Sequence, residues 1–155
     1  MAQRLDWRRK PNPGVEAMTS VETWLARSGL DPKLLELAKM RASQINGCAF
    51  CLHMHSEAAQ RHGERLERLL LLDAWRESVL FTERERAALA WVEALTRITD
   101  GHAPDDVYAE VRRHFTDDEL IALSICIGMI NAWNRLAIGF RAAHPRDVPP
   151  SAAAA

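Results

Sequence analysis

The segment LIALSICIGMINAWNRLAIGF, residues 120–140, is apolar on nearly every face at helical spacing. No other stretch constrains the fold so strongly. A helix with one apolar stripe can lie on a surface, whereas one that is apolar all round must be covered on all sides. It is therefore expected at the centre of a fold or in a subunit interface. Thr116 and Glu119 stand at the spacing of a capping box before it, which predicts a helix to about Arg141. Asn131, Trp133, Asn134 and Arg135 interrupt the apolar run with polar groups, which must find partners once buried. They read as packing and interface specificity rather than chemistry, with Arg135 a candidate partner for a buried acid such as Glu36.

The rest of the chain supplies helices to cover this one. Val15, Met18, Val21 and Leu25 share a face of a helix from about residue 14 to 28, closed by Gly29. Asp31-Pro32 is an N-cap followed by proline at the first helical position, opening a helix to about Asn46. Gly47 breaks the pattern, and a third helix follows from about Cys48 to His62 with Gly63 as its stop. Leu66, Leu69, Leu70, Leu71, Leu72 and Trp75 form a short apolar segment. Thr82 and Glu85 make a second capping box, for a helix to about Thr99, and Pro104 opens a shorter one. Strand-like alternation is weak and no internal repeat stands out. The expectation is one all-α domain, a bundle of six to seven helices, and 155 residues are enough for a single core.

Charge is balanced, with 20 Lys and Arg against 21 Asp and Glu, so the basic footprint of a nucleic-acid binder is missing. The N-terminal residues carry cations but no apolar run behind them, unlike a secretory signal. No window reads as the uninterrupted apolar run of a membrane span. These features predict a cytoplasmic protein without nucleic-acid or membrane partners. Three cysteines in that setting argue against a disulfide framework and leave a C-x-x-C pair catalytic or metal-binding.

That pair lies in NGCAFCLHMHSEAA, residues 46–59. On a helix from Cys48, positions 48, 51 and 55 form one stripe, so the two thiols lie a turn apart and His55 stands a turn beyond Cys51. Covalent haem attachment requires C-x-x-C-H, and Leu52 follows Cys51 here. Structural zinc needs four ligands, and the stripe offers three, with Glu36 or His62 left to complete the set. Two inert buried cysteines would not explain the glycine break, the helix start and the i+4 histidine together. Redox chemistry fits best. The helix N-terminus favours a thiolate at Cys48, whereas proximity to His55 favours activation of Cys51, and the residues alone leave that choice open.

The stretch ELAKMRASQINGCAFCLHMHSEAAQRHG, residues 36–63, resembles the core motif of the alkylhydroperoxidase D-like proteins, within the carboxymuconolactone decarboxylase superfamily. In that motif a glutamate precedes C-x-x-C-x-x-x-H, matched here by Glu36, Cys48, Cys51 and His55. INAWNRLAIGFR, residues 130–141, resembles the final helix of the peroxidase-related members. The resemblance implies an all-α alkylhydroperoxidase D-like domain over residues 1–143, with the C-x-x-C at the start of a central helix and a flexible tail over 144–155. It implies a homo-oligomer, trimer or hexamer, with no cofactor and no metal. The implied activity is a dithiol–disulfide cycle that reduces hydroperoxides or serves a peroxiredoxin partner in antioxidant defence. The cycle would be recharged by a dithiol reductant of the dihydrolipoamide or thioredoxin-like kind. On this resemblance Cys51 attacks the peroxide, Cys48 resolves, His55 is the base and Glu36 ends a proton relay.

One departure stands out. The family pattern has a histidine just before the second cysteine, where this chain has Phe50. His53 points elsewhere on the helix and reads as a surface or interface side chain. By its surroundings alone, Glu36 would pair with Lys39 or Arg41. Cys126 reads as a small core residue. Two other functions are weighed beside the first: a decarboxylase or lactone-processing enzyme that needs no cysteine pair, and a redox-sensing oligomer without turnover.

Overall fold

The computed structural model describes residues 2–144 and is helical throughout. Seven α-helices follow in order among the described residues: α1 (Pro13–Leu25), α2 (Pro32–Asn46), α3 (Ala49–Arg61), α4 (Leu66–Leu70), α5 (Glu83–Thr96), α6 (Asp105–His114) and α7 (Asp117–Gly139), with a 3₁₀ turn at Leu72–Ala74 between α4 and α5. Both expected capping boxes form, Thr82 with Glu85 and Thr116 with Glu119. The Asp31 carboxylate caps α2 by accepting from the Lys33 N–H at 2.9 Å. α1 ends three residues earlier than its pattern suggested, because Ala26 to Ser28 continue as turns to the carbonyls of Glu22, Trp24 and Leu25. The expected tail lies outside the described residues apart from His144.

α7 takes the central place, packing on α2 and α5 and also meeting α1, α3 and α6. Leu123, Cys126, Ile127 and Ile130 are sealed from solvent in one core with Leu34, Leu35 and Ala38 of α2 and Val92 of α5. By length and composition α7 is also apolar enough to cross a membrane, which departs from the sequence reading. Contact with five helices explains the apolarity of its inner faces, whereas Ile121, Ile125 and Ile138 remain exposed on its outer one. A second, smaller core of Leu37, Met40, Leu72, Trp75, Phe81 and Leu89 lies on the other face of α2. Residues on both faces of α2 are therefore buried, and its charged side chains Glu36, Lys39 and Arg41 are buried with them.

Each of these charges has a partner. Arg41 forms a salt bridge to Glu93 of α5 at 2.7 Å and also meets Asp73. The same Glu93 carboxylate accepts from the Trp75 indole at 2.9 Å and from Arg76 at 2.6 Å. Burial raises the Glu93 pKa, but these donors outweigh it and hold the carboxyl below its ordinary value. Glu93 thus ties α2, the residues just after the 3₁₀ turn and α5 together through three donor side chains. Replacing Glu93 with alanine takes from Arg41 its buried counter-charge, leaving Asp73 on the exposed side, and strands the indole N–H. We expect a loss of about 3 kcal/mol in urea unfolding, with Glu93→Gln costing less.

Candidate functional site

The C-x-x-C pair sits where α2 hands over to α3. Gly47 caps α2 in the left-handed region, φ 69°, a conformation that a residue with a Cβ rarely adopts. The chain thereby turns within two residues, and Cys48 becomes the N-cap of α3 rather than its first helical residue. The Cys51 N–H donates to Cys48 Sγ at 3.4 Å. Cys48 therefore does in sulfur what serine or aspartate does at other helix starts. Both cysteines are free thiols and nearly sealed from bulk water.

Asn134 of α7 reaches this corner and is fully buried. Its amide donates to Ser43 Oγ at 3.1 Å, and its carbonyl oxygen accepts from Asn46 at 2.8 Å. Asn46 also donates to Asn131 at 2.9 Å. The Asn134 side chain lies against both sulfurs and favours their ionised forms. The sequence reading had placed Asn134 among packing residues. The signal for a site role was there, in an unusual buried amide on an otherwise apolar helix, but only the fold shows what it faces.

The two thiols differ sharply. The hydrogen bond from Cys51, outweighing burial, lowers the Cys48 pKa to about 7, helped by Asn134 and by the charge of Arg8. The same hydrogen bond, together with burial and the Cys48 charge, pushes the Cys51 thiol well up. In the reduced pair, then, Cys48 holds the negative charge and Cys51 holds the proton. Cys126 is buried in the core, away from both, and its pKa is raised to about 12 by burial.

His55 and Glu36 meet as the motif implied. His55 Nδ1 lies 2.8 Å from Glu36 Oε2, both residues buried. Burial alone would raise the Glu36 pKa, but His55, Lys39 and His62 bring it below the ordinary value. An ionised carboxylate accepts, so Nδ1 carries the proton and Nε2 is the nitrogen left to take another. Glu36 does not pair with Arg135, whose guanidinium turns back to the Asn131 carbonyl at 2.7 Å. It meets Lys39 instead, at 3.7 Å. Lys39 also donates to Glu22 of α1 at 2.9 Å, and Glu22 accepts from the Trp133 indole at 3.0 Å. A row of charges thus runs from buried His55 and Glu36 through Lys39 to half-buried Glu22 on α1, and its last members leave no pattern in the sequence. His53 pairs with Glu57 at 3.3 Å and packs on His144, outside this row.

A cavity of about 390 Å³ opens on the site, with Cys51 and His55 in its wall. Phe50, Met54, Ile130, Trp133 and Trp7 make the remainder mostly apolar, and Glu22 and Arg8 add one charge of each sign. Cys48 lies in a separate cleft, beneath residues 141–144. Among the described residues no group of three or more His, Cys, Asp or Glu side chains is placed to hold a metal ion. With its pKa at about 7, Cys48 is thiolate above that pH and loses the charge as pH falls through it. Alkylation of Cys48 by iodoacetamide, followed by peptide mass spectrometry, should therefore rise through a midpoint near pH 7 and not near 9.

Residues 14–94 match the carboxymuconolactone decarboxylase family. The uncharacterized protein YdfG of Bacillus subtilis is 37% identical over 145 residues, covering 92% of this chain and 99% of its own length. A protein of unknown function from Agrobacterium tumefaciens, suggested to be the antioxidant defence protein AhpD, superposes with a TM-score of 0.89. It is 41% identical, over 93% of this chain and 99% of that one. The debrominase Bmp8 shares the fold at 21% identity, with a TM-score of 0.75 over 84% of this chain and 72% of its own. The all-helical bundle, the C-x-x-C at the start of α3 and these similarities agree: the chain belongs to the carboxymuconolactone decarboxylase family, in its alkylhydroperoxidase D-like branch.

Proposed function

We propose that the protein is a thiol peroxidase that reduces organic hydroperoxides through a Cys51–Cys48 disulfide. The observation that carries this reading is the shared wall: Cys51 and His55 face one apolar cavity, and Cys48 lies behind them in another cleft. A hydroperoxide entering the cavity meets Cys51. His55 Nε2 takes the thiol proton, while Glu36 on Nδ1 stabilises the imidazolium that forms. The Cys51 sulfur then attacks the peroxide. An S–O bond forms, the O–O bond breaks, and the sulfur is oxidised by two electrons to the sulfenic acid. The leaving alkoxide takes the proton from His55 and departs as alcohol.

The Cys48 thiolate attacks the Cys51 sulfenic acid, expelling hydroxide that leaves as water once protonated, and the disulfide closes. The low pKa of Cys48 suits it to this second step, since its charge is ready without a base. An external dithiol returns two electrons and two protons by exchange. A peroxiredoxin disulfide is an alternative electron acceptor for the same dithiol. Assembly into a homo-oligomer belongs to the same reading, and it is supported by Trp24, Tyr108 and Ile121, exposed on α1, α6 and α7.

The test follows cumene hydroperoxide consumption with dihydrolipoamide as reductant. Cys51→Ser and Cys48→Ser should each fall to the rate of free thiols. Dimedone should trap a sulfenic acid at Cys51 in the Cys48→Ser variant and none in Cys51→Ser. Either single variant turning over at the native rate overturns the dithiol cycle. Turnover of a small lactone or carboxylate that survives alkylation would point to the decarboxylase reading instead. A dithiol that cycles with no catalysed peroxide loss would point to a sensor.

A further inference from the structure

The N-terminal segment before α1 lies outside the family match, yet it closes over the site. The Arg4 N–H donates to the Phe140 carbonyl at 2.9 Å and its guanidinium to the Gly139 carbonyl at 3.2 Å, which pins the segment to the end of α7. Trp7 is buried and stacks on Trp133 with ring centroids 5.6 Å apart. Arg8 then lays its guanidinium over the Phe50 ring at 3.8 Å and beside the Trp7 ring at 5.3 Å. All three rings and Arg8 line the cavity that holds Cys51 and His55.

Arg8 feels the charge of Asp6 and of the two cysteine sulfurs, Cys51 foremost, but no carboxylate is in ion-pair contact with it. Asp6 pairs with Arg9, 3.5 Å away, and Arg8 makes no ion pair among the described residues. A guanidinium stacked on an aromatic face keeps its in-plane N–H donors free for an anion. The groups sharing this space are Cys51 and His55 of α3, Glu22 of α1, and Asn134 of α7 behind the sulfurs. Glu22 is already held by Lys39 and the Trp133 indole. Besides Asp6, which is paired with Arg9, the anions facing Arg8 are the ones the sulfurs make.

We propose that Arg8, carried in by the N-terminal strap and fixed on Phe50, is the positioning residue that supplies positive charge to the thiols and to the oxygen leaving Cys51. The role rests on the peroxidase reading only for its second half. Thiolate stabilisation needs no peroxide, so the two fail separately. Its charge favours the ionised form of both cysteines, and it reaches the site without contributing to the bundle core.

The test compares Arg8→Met, which keeps the stem and removes the charge, with Arg8→Lys, which keeps a charge. Thiolate absorbance at 240 nm is titrated on the full chain, and iodoacetamide alkylation is followed in parallel. In Arg8→Met the lower thiol midpoint should move up, slowing alkylation at pH values below it. Arg8→Lys should restore most of the shift, and cumene hydroperoxide turnover should follow the same order. If Arg8→Met loses helical circular dichroism, Arg8→Gln replaces it in the comparison. An unchanged midpoint in the uncharged variant, or a lysine variant displaced as far as it, overturns the proposal. A shifted midpoint in a protein that consumes no peroxide upholds Arg8 and removes the peroxidase.

Discussion

A buried amide in an apolar helix must be hydrogen-bonded, and in this protein that requirement organises the site. α7 is covered by five helices, so nothing polar on its inner faces can reach water. Asn131 and Asn134 are satisfied at one place, the corner where α2 ends, through Asn46, Ser43 and, from α5, Thr96. These bonds fix the last turn of α2 against the middle of α7. Gly47 and Cys48 follow directly, and the sulfurs end up beside the amide that fastened the corner. Packing specificity and thiol chemistry share one set of hydrogen bonds, because the partners of Asn134, Ser43 and Asn46, lie next to the C-x-x-C.

The thiol pair gains its asymmetry from the same geometry. An N-cap side chain accepts from the helix and sits at the positive end of the dipole, so Cys48 is the sulfur that carries charge. Cys51, one turn on, donates to it and faces the cavity. The two arguments that opposed each other in the sequence describe different sulfurs in different roles. On the proposed cycle the cavity-facing partner is the one that is oxidised, and the charged partner closes the disulfide.

Much of the fold was legible in the order of residues, because its elements are set by local rules. Asp31-Pro32, the two Thr–Glu capping boxes and the glycine stops place helix ends within a few residues. The uniform apolarity of residues 120–140 announced a central helix. The Glu36–His55 contact was legible only through the family motif: nineteen residues of sequence and a glycine turn separate the two side chains, and no periodicity links them. Glu22, Lys39 and Trp133 were not legible as a row, since it joins three helices through side chains that each look like ordinary surface or core. Arg135 was a candidate partner for Glu36 and instead folds back on its own helix, where the Asn131 carbonyl four residues earlier accepts from it. The site role of Trp7 and Arg8 was not legible, because stacking on distant rings leaves no trace in local pattern.

Cys126 has a consequence of its own. It is sealed inside the bundle with its proton held to about pH 12, so it cannot join the exchange of sulfurs taking place at the corner. Of the three sulfhydryls in the chain, Cys51 and Cys48 line a cavity or a cleft that a thiol reagent can enter, and Cys126 lines neither. The third becomes countable only when the bundle comes apart. Loss of the native state is thereby written into the stoichiometry of the protein, with no foreign label needed to read it.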